Sequence, residues 1–175
     1  LQVPAAVVLG LARGGMPVAA EVAVQLGARL DVLIVRKLGA PSQPEFAFGA
    51  IAEDAPAFID ATTVDALGLH ATEIDRVLAR ERAELSRRIL SYRRDRPLVD
   101  VRDKHVVLVD DGLATGATMR AAVACATQRG AARITVAVPV GAPESVAELR
   151  TEADVVCLHS PSNFGAVGYW YHDFA

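Results

Sequence analysis

Short apolar runs separated by polar or glycine-rich breaks organise this chain, and most are followed by a stretch with helical spacing. Val3–Leu9, Leu30–Val35, Val106–Val109, Ile134–Val140 and Asp154–Leu158 read as strands. Val106–Val109 is β-branched and apolar throughout, which suits a strand buried on both faces of a parallel sheet. Met16–Leu26, Ala71–Arg94, Met119–Gln128 and Pro143–Arg150 read as helices. Pro17 falls in the first turn of its helix, where a missing N–H costs nothing. In the long helix Ile74, Leu78, Leu85, Ile89 and Tyr92 form one stripe. Its arginines, Arg76, Arg80, Arg82, Arg87, Arg88, Arg93 and Arg94, are interleaved with Glu73, Asp75, Glu81 and Glu84. That mixture predicts a solvated face rather than an anion patch. Pro97 ends the helix, and His70 before it suits a surface or capping residue. Gly39–Ala50 has two prolines, two glycines and no helical period, so it reads as a loop, with a short strand at Ala57–Asp60 beyond it. The alternation predicts an α/β fold, a doubly wound and mostly parallel sheet with helices on both faces and right-handed crossovers.

Composition narrows the class. The 175 residues suit one domain spanning 1–175. Although 52% are hydrophobic, no run approaches the ~18–20 residues needed to span a bilayer, so no membrane partner is expected. A net charge of -3 leaves no basic excess for non-specific nucleic-acid binding. Cys125 and Cys157 are isolated, without metal-ligand spacing, and suit small buried positions. No signal peptide is visible, and a start at Leu1 rather than Met leaves an upstream segment to be expected. The expected compartment is the cytoplasm.

The chemistry concentrates in Val106–Thr118, Val-Val-Leu-Val-Asp-Asp-Gly-Leu-Ala-Thr-Gly-Ala-Thr. Asp110 and Asp111 follow the strand at its C-terminal end, the side on which open α/β sheets bind ligands. Gly112, Gly116 and the small Ala114 and Ala117 let backbone N–H groups approach one anion, at the positive end of the next helix. Thr115 and Thr118 can donate hydroxyls to a phosphate, or cap the helix. Two carboxylates would repel a bare anion, so they must serve something joined to it, either vicinal hydroxyls or a divalent cation. A ribose 5-phosphate satisfies both halves. No Gly-Lys-Ser/Thr is present, so this is not a Walker A loop. The plainer alternative is an ordinary strand–turn–helix corner, which leaves the acid pair and both threonines unexplained. A second glycine loop, Gly10–Gly15, carries Arg13, and Arg36-Lys37 end the strand Leu30–Val35. Each could also be a simple turn or strand end with its charges in water.

The thirteen residues Val106–Thr118 resemble the signature of the type I phosphoribosyltransferases: four apolar residues, two acids and a Gly/Thr-rich phosphate loop. The resemblance implies a transferase of nucleotide metabolism, of the purine salvage kind. It would move a 5-phosphoribosyl group from 5-phosphoribosyl 1-diphosphate to an acceptor nitrogen of a base. It implies Asp110 and Asp111 on the ribose hydroxyls, and Gly112 and Ala114–Thr118 on the 5-phosphate. Arg13, Gly14 and Gly15 would hold the pyrophosphate through a strained peptide of cis form. Arg36 and Lys37 would face the same group. Mg²⁺ would be held by Asp110 and Asp111 indirectly, through ribose or water. Residues 39–60 match the family's mobile hood loop, and 161–175 the C-terminal segment that lines the base pocket. Within Phe164–Tyr171 the aromatics suit base stacking and core packing equally, and Tyr169-Trp170-Tyr171 stay unassigned. Phe46 and Phe48 could stack on a base, though alternation along a short strand explains them better. A homodimer is compatible with the resemblance.

Relatives that use 6-oxopurines carry an acid just before the Thr-Gly of the loop, where this chain has Ala114. Its Arg-Lys-x-Gly and Asp-Asp-x-Leu-Ala-Thr-Gly patterns look more like the adenine-type transferases, in which an acid of the mobile loop serves the base. Glu45 is the only acid in Gly39–Ala50 and is the expected acid/base. A regulator that senses the donor without transferring it would show the same acid pair and loop. A hydrolase or kinase lacks a recognisable nucleophile or nucleotide loop here.

Overall fold

The apolar run at 106–109 forms the central strand of a five-stranded parallel sheet. A computed structural model of the chain describes residues 6–94 and 96–174, and the backbone alone of Glu45. Strands β1 (Ala6–Leu11), β2 (Arg29–Leu33), β6 (His105–Val109), β7 (Arg133–Val140) and β8 (Asp154–His159) run in the order β2-β1-β6-β7-β8, all parallel. Val3–Ala5 of the expected first strand lie outside the described residues. Helix α1 (Gly15–Leu26) packs on one face, where Ala19 and Ala23 meet Val8, Val107 and Val109. Helices α4 (Ala117–Gln128) and α5 (Pro143–Leu149) cover the other face over a larger core. The doubly wound class read from the alternation is the class observed.

The expected strand Leu30–Val35 is two strands. Pairing with β1 ends at Leu33, and Ile34 turns the chain away, its N–H donating to Glu53 Oε1 at 3.1 Å. A second, antiparallel sheet follows: β3 (Val35–Ala40), β4 (Gln43–Ala52) and β5 (Phe58–Ile59). The expected loop Gly39–Ala50 is therefore largely hairpin. Its prolines sit at the turn end, where the register between β3 and β4 slips around Gly39, and so they break no central ladder. Phe48, Ala50 and Ile51 are buried in β4, as the alternation of Phe46 and Phe48 allowed. A fully buried Phe or Ile contributes about 1.5–3 kcal/mol, enough to fix the hairpin's face.

Thr62–Asp65, left without an element in the sequence, lies in α2 (Ala61–Leu67), capped by Asp60, which accepts from Thr62 N–H at 3.1 Å. Helix α3 (Ala71–Arg93) lies across the second sheet, and His70 is its N-cap, with Glu73 Oε2 accepting from His70 N–H at 2.9 Å. Of the expected stripe Ile74, Leu78, Leu85 and Ile89 pack on the second core, joined there by Val77, while Tyr92 points outward and Glu81 and Arg93 are buried instead. Arg93 reaches Asp31 and Glu53, tying α3 to both sheets. No helix of the described residues is long and apolar enough to cross a membrane.

Candidate functional site

At the C-terminal ends of β1 and β6 two loops meet. Asp110 and Asp111 leave β6 half-buried, and Asp111 N–H donates to Asp110 Oδ1 at 2.9 Å. The loop after β1 packs directly on them. A Cβ on Gly14 would overlap the Asp111 carboxylate, and one on Gly15 would lie 2.6 Å from the Val109 carbonyl oxygen. The two glycines thus let the first loop close against the acid pair. The Ala12–Arg13 peptide is cis, as the resemblance implied. Burial and then the charge of Asp111 push the Asp110 carboxyl up to about 8, opposed by the Asp111 N–H and by Lys37. Among the described residues neither aspartate has an ion-pair partner within 4.0 Å. A like-charge pair of this kind fits a cation or a set of hydroxyl donors.

The segment after the acids is held from behind, which leaves its front to a ligand. Leu113 N–H donates to Val140 O at 2.9 Å, and Ser145 Oγ donates to Ala114 O at 2.5 Å. Gly116 then takes φ +78°, a left-handed conformation that disfavours other residues, and begins α4 two residues earlier than Met119. No side chain among the described residues caps α4, so the alternative of Thr115 or Thr118 as a helix cap is not realised. The first-turn N–H groups and the helix dipole remain available to an anion.

A cleft of about 540 Å³ opens in front of this loop. Asp110, Asp111, Gly112, Ala114, Thr115, Gly116 and Thr118 line it, together with Lys37 from β3. Ala117 is buried and turned toward a neighbouring cavity instead. A second cleft of about 420 Å³ holds Arg13, Gly14, Arg36 and Lys37. Lys37, Asp110 and Thr118 border both clefts, so the two are adjoining. Arg36 and Lys37 do not end a strand of the main sheet, as expected, but lie within β3. Arg36 is bound to Glu81 of α3, at 2.9 Å from Nε and 2.6 Å from Nη2. Glu45 lies in β4 near the turn, and its side chain is outside the described residues.

Residues of the C-terminal segment 161–175 line this cleft too, although nothing in the sequence singled most of them out individually. Ala166, Val167, Gly168 and Phe174 close the first cleft, and a Cβ on Gly112 would lie 2.6 Å from Val167 Cγ1. Tyr171 Oη donates to the Asp111 carbonyl at 2.6 Å. Burial, then Asp111 and Asp110, push its phenol upward. Trp170 packs edge-on against His159, with ring centroids 4.8 Å apart, and Tyr169 stands in solvent. The C-terminal aromatics therefore divide between stitching the tail down and lining the cleft. Glu81 was visible in principle, as a charge at the helical spacing of Val77 and Leu85. Among the described residues no three His, Cys, Asp or Glu gather to hold a metal. A magnesium ion fits here only as an ion with one or two carboxylates whose other ligands come from substrate and water.

Phosphate soaked into crystals is expected against Thr115 and the backbone N–H groups of Gly116–Thr118. Density showing that loop empty and the anion elsewhere would count against the assignment.

Comparison with known proteins agrees with this geometry. Residues 4–174 match the family model of the phosphoribosyl transferase domain. Over 171 residues, 97% of the chain, the sequence is 48% identical to proteins of two Mycobacterium tuberculosis strains, each provisionally named a phosphoribosyl transferase. The chain spans only 39% of the length of those relatives. A crystal structure of a Thermus thermophilus protein is 47% identical, covering 99% of this chain and 82% of that one with a TM-score of 0.81. Adenine phosphoribosyl transferase from Trypanosoma brucei shares the fold at 19% identity and a TM-score of 0.50, over 91% of this chain and 58% of that one.

Proposed function

The chain belongs to the phosphoribosyl transferase family, and on that premise we propose that it transfers a 5-phosphoribosyl group from 5-phosphoribosyl 1-diphosphate to a base nitrogen, releasing pyrophosphate. The observation that carries the reading is the pair of adjoining clefts, which share Lys37, Asp110 and Thr118. One offers a phosphate loop, the other a set of cations, and Asp110 borders both, with Asp111 beside it in the first. A phosphorylated pentose with a diphosphate at its anomeric carbon has the same order of groups.

Displacement at the anomeric carbon passes through a cationic, oxocarbenium-like transition state, while negative charge builds on the leaving group. Arg13, Arg36 and Lys37 would stabilise that charge from fixed positions. Asp110 and Asp111 would accept hydrogen bonds from the ribose hydroxyls. The loop Gly112–Thr118 would anchor the 5-phosphate, so that binding energy far from the reacting carbon orients it. Mg²⁺, held through ribose or water beside Asp110 and Asp111, would supply further charge neutralisation to the pyrophosphate. The β3–β4 hairpin and the C-terminal tail border the clefts, where they would keep water from the reacting carbon.

The acceptor is proposed to be an amino-substituted base. Ala114 stands where a 6-oxopurine enzyme would place an acid, and its carbonyl is tied back to Ser145. Glu45 is proposed as the acid/base from its place in the hairpin. Glu45→Gln is expected to lower turnover by ~10²–10⁴ with donor affinity nearly unchanged. Steady-state kinetics decide this, and turnover within a few-fold of the parent protein leaves Glu45 an ordinary hairpin residue. Efficient use of hypoxanthine or guanine would overturn the acceptor argument.

The deciding experiment incubates the protein with donor and Mg²⁺ and screens a panel of bases for pyrophosphate release. Release with one base establishes the transferase. Donor binding without release on any base makes the chain a sensor of the donor.

A further inference from the structure

The arginines of α3, interleaved with acids in sequence, do not all belong to a solvated face. Arg80 and Arg88 line the second cleft together with Arg13, Arg36 and Lys37. Against these five cations the cleft wall carries two carboxylates, Glu81 and Asp110. Glu81 is buried on the helix's inner stripe and is shared. It accepts from Arg36 Nη2 at 2.6 Å and from Arg80 Nε at 3.0 Å. One carboxylate therefore holds a guanidinium of β3 beside one of α3 and neutralises only one of the two. Arg88 is placed likewise: Glu84 accepts from it at 2.8 Å and from Arg87 at 2.7 Å.

This is an excess of positive charge on a concave wall, held in place before any ligand arrives. Such a wall attracts a polyanion more strongly than a single phosphate. Guanidiniums already fixed by a shared carboxylate also lose less side-chain freedom on binding. Arg13 and Lys37 come from the β1 loop and β3, near the acid pair. Arg80 and Arg88 come from a different element, about two turns apart along α3 and so on the same side of it.

We propose that α3 supplies the outer half of the leaving-group site, with Arg80 and Arg88 binding the distal phosphate of a diphosphate. Arg13, Arg36 and Lys37 then meet the phosphate bonded to the sugar. The inference rests on the transferase reading above and adds to it a binding element that the sequence motifs do not contain.

The test is calorimetry on the whole chain with inorganic pyrophosphate and, separately, with ribose 5-phosphate. Both are titrated into the parent protein and into Arg80→Ala with Arg88→Ala. The Arg80 side chain is mostly exposed and Arg88 pairs along its own helix, so neither removal opens a buried cavity. The double variant is expected to lose about tenfold or more in pyrophosphate affinity, the scale of lost charge-assisted hydrogen bonds. Its ribose 5-phosphate affinity is expected to stay within about twofold, because the phosphate loop is untouched. The gap between parent and variant should narrow at high salt, since partly exposed charges are screened. Unchanged pyrophosphate affinity overturns the inference and leaves the transferase reading standing. Equal loss for both ligands also overturns it, as a general disturbance of the site. A parent protein that binds ribose 5-phosphate but no pyrophosphate overturns both the inference and the assignment of the second cleft.

Discussion

Replacing Asp110 and Asp111 together by asparagine is expected to lower affinity for 5-phosphoribosyl 1-diphosphate by ~10²–10⁴ while the fold survives. Each carboxylate would accept a charge-assisted hydrogen bond from a ribose hydroxyl, worth about 1.5–3 kcal/mol. Two such losses give the stated range, at ~1.4 kcal/mol per factor of ten. Asparagine keeps the shape and one acceptor oxygen, so the backbone contacts of Gly14 and Gly15 against the pair are preserved. Stability should not suffer, because the pair repels itself: burial and the charge of Asp111 already push the Asp110 carboxyl upward. Calorimetry with donor and Mg²⁺ measures the binding, and thermal melting checks the fold. Unchanged affinity removes the central assignment. A collapsed fold would instead show that the acids hold the two loops together.

The largest effect on stability is expected from Arg93→Met. The Arg93 side chain is 4% exposed and joins three segments. Its Nη1 donates to Asp31 Oδ2 at 3.2 Å and its Nη2 to Glu53 Oε1 at 2.9 Å, with a further bond to the Val32 carbonyl. Methionine fills much of the volume but leaves Asp31 and Glu53 without their cation. Burial already pushes the Glu53 carboxyl upward, and Arg93 is the main influence opposing it. Breaking a buried pair by removing one partner costs about 3–5 kcal/mol. At roughly 2–4 °C per kcal/mol for a chain of this size, melting should fall by ~6–20 °C. Urea or thermal denaturation measures it. A loss below about 1 kcal/mol would mean that the network contributes little. Adding Glu53→Gln should recover part of the loss, since it removes one orphaned charge. Because Ile34 N–H and Arg93 share Glu53, the same network fixes where β3 leaves the main sheet. The place of Lys37 in the cleft it shares with the acid pair depends on that departure point.

What could be read in advance follows from how local each feature is. The strand–acid pair–loop–helix unit occupies thirteen consecutive residues, so its pattern is legible locally, although Val140 and Ser145 hold the loop from behind. Apolar runs, the small residues of the loop and a helix start expected at Met119, within two residues of the observed Ala117, all act over a short span. The sequence by itself therefore determined the α/β class, the loop proposed to hold a phosphate and the place of the acid pair. Gly39–Ala50, most of the β3–β4 hairpin, was read as a loop because of Pro41, Pro44 and its two glycines. Only burial of Phe48 and Ile51 against α3, and of Ala50 in the main core, makes it a sheet. Tertiary structure alone brought Glu81 to Arg36 across 45 residues and Tyr171 to the Asp111 carbonyl across 60. It also turned Arg93, rather than Tyr92, into the interior. In each case a charged or polar side chain is placed by a partner far along the chain. No periodicity records such a partner, because the pairing energy exists only once the two elements have packed.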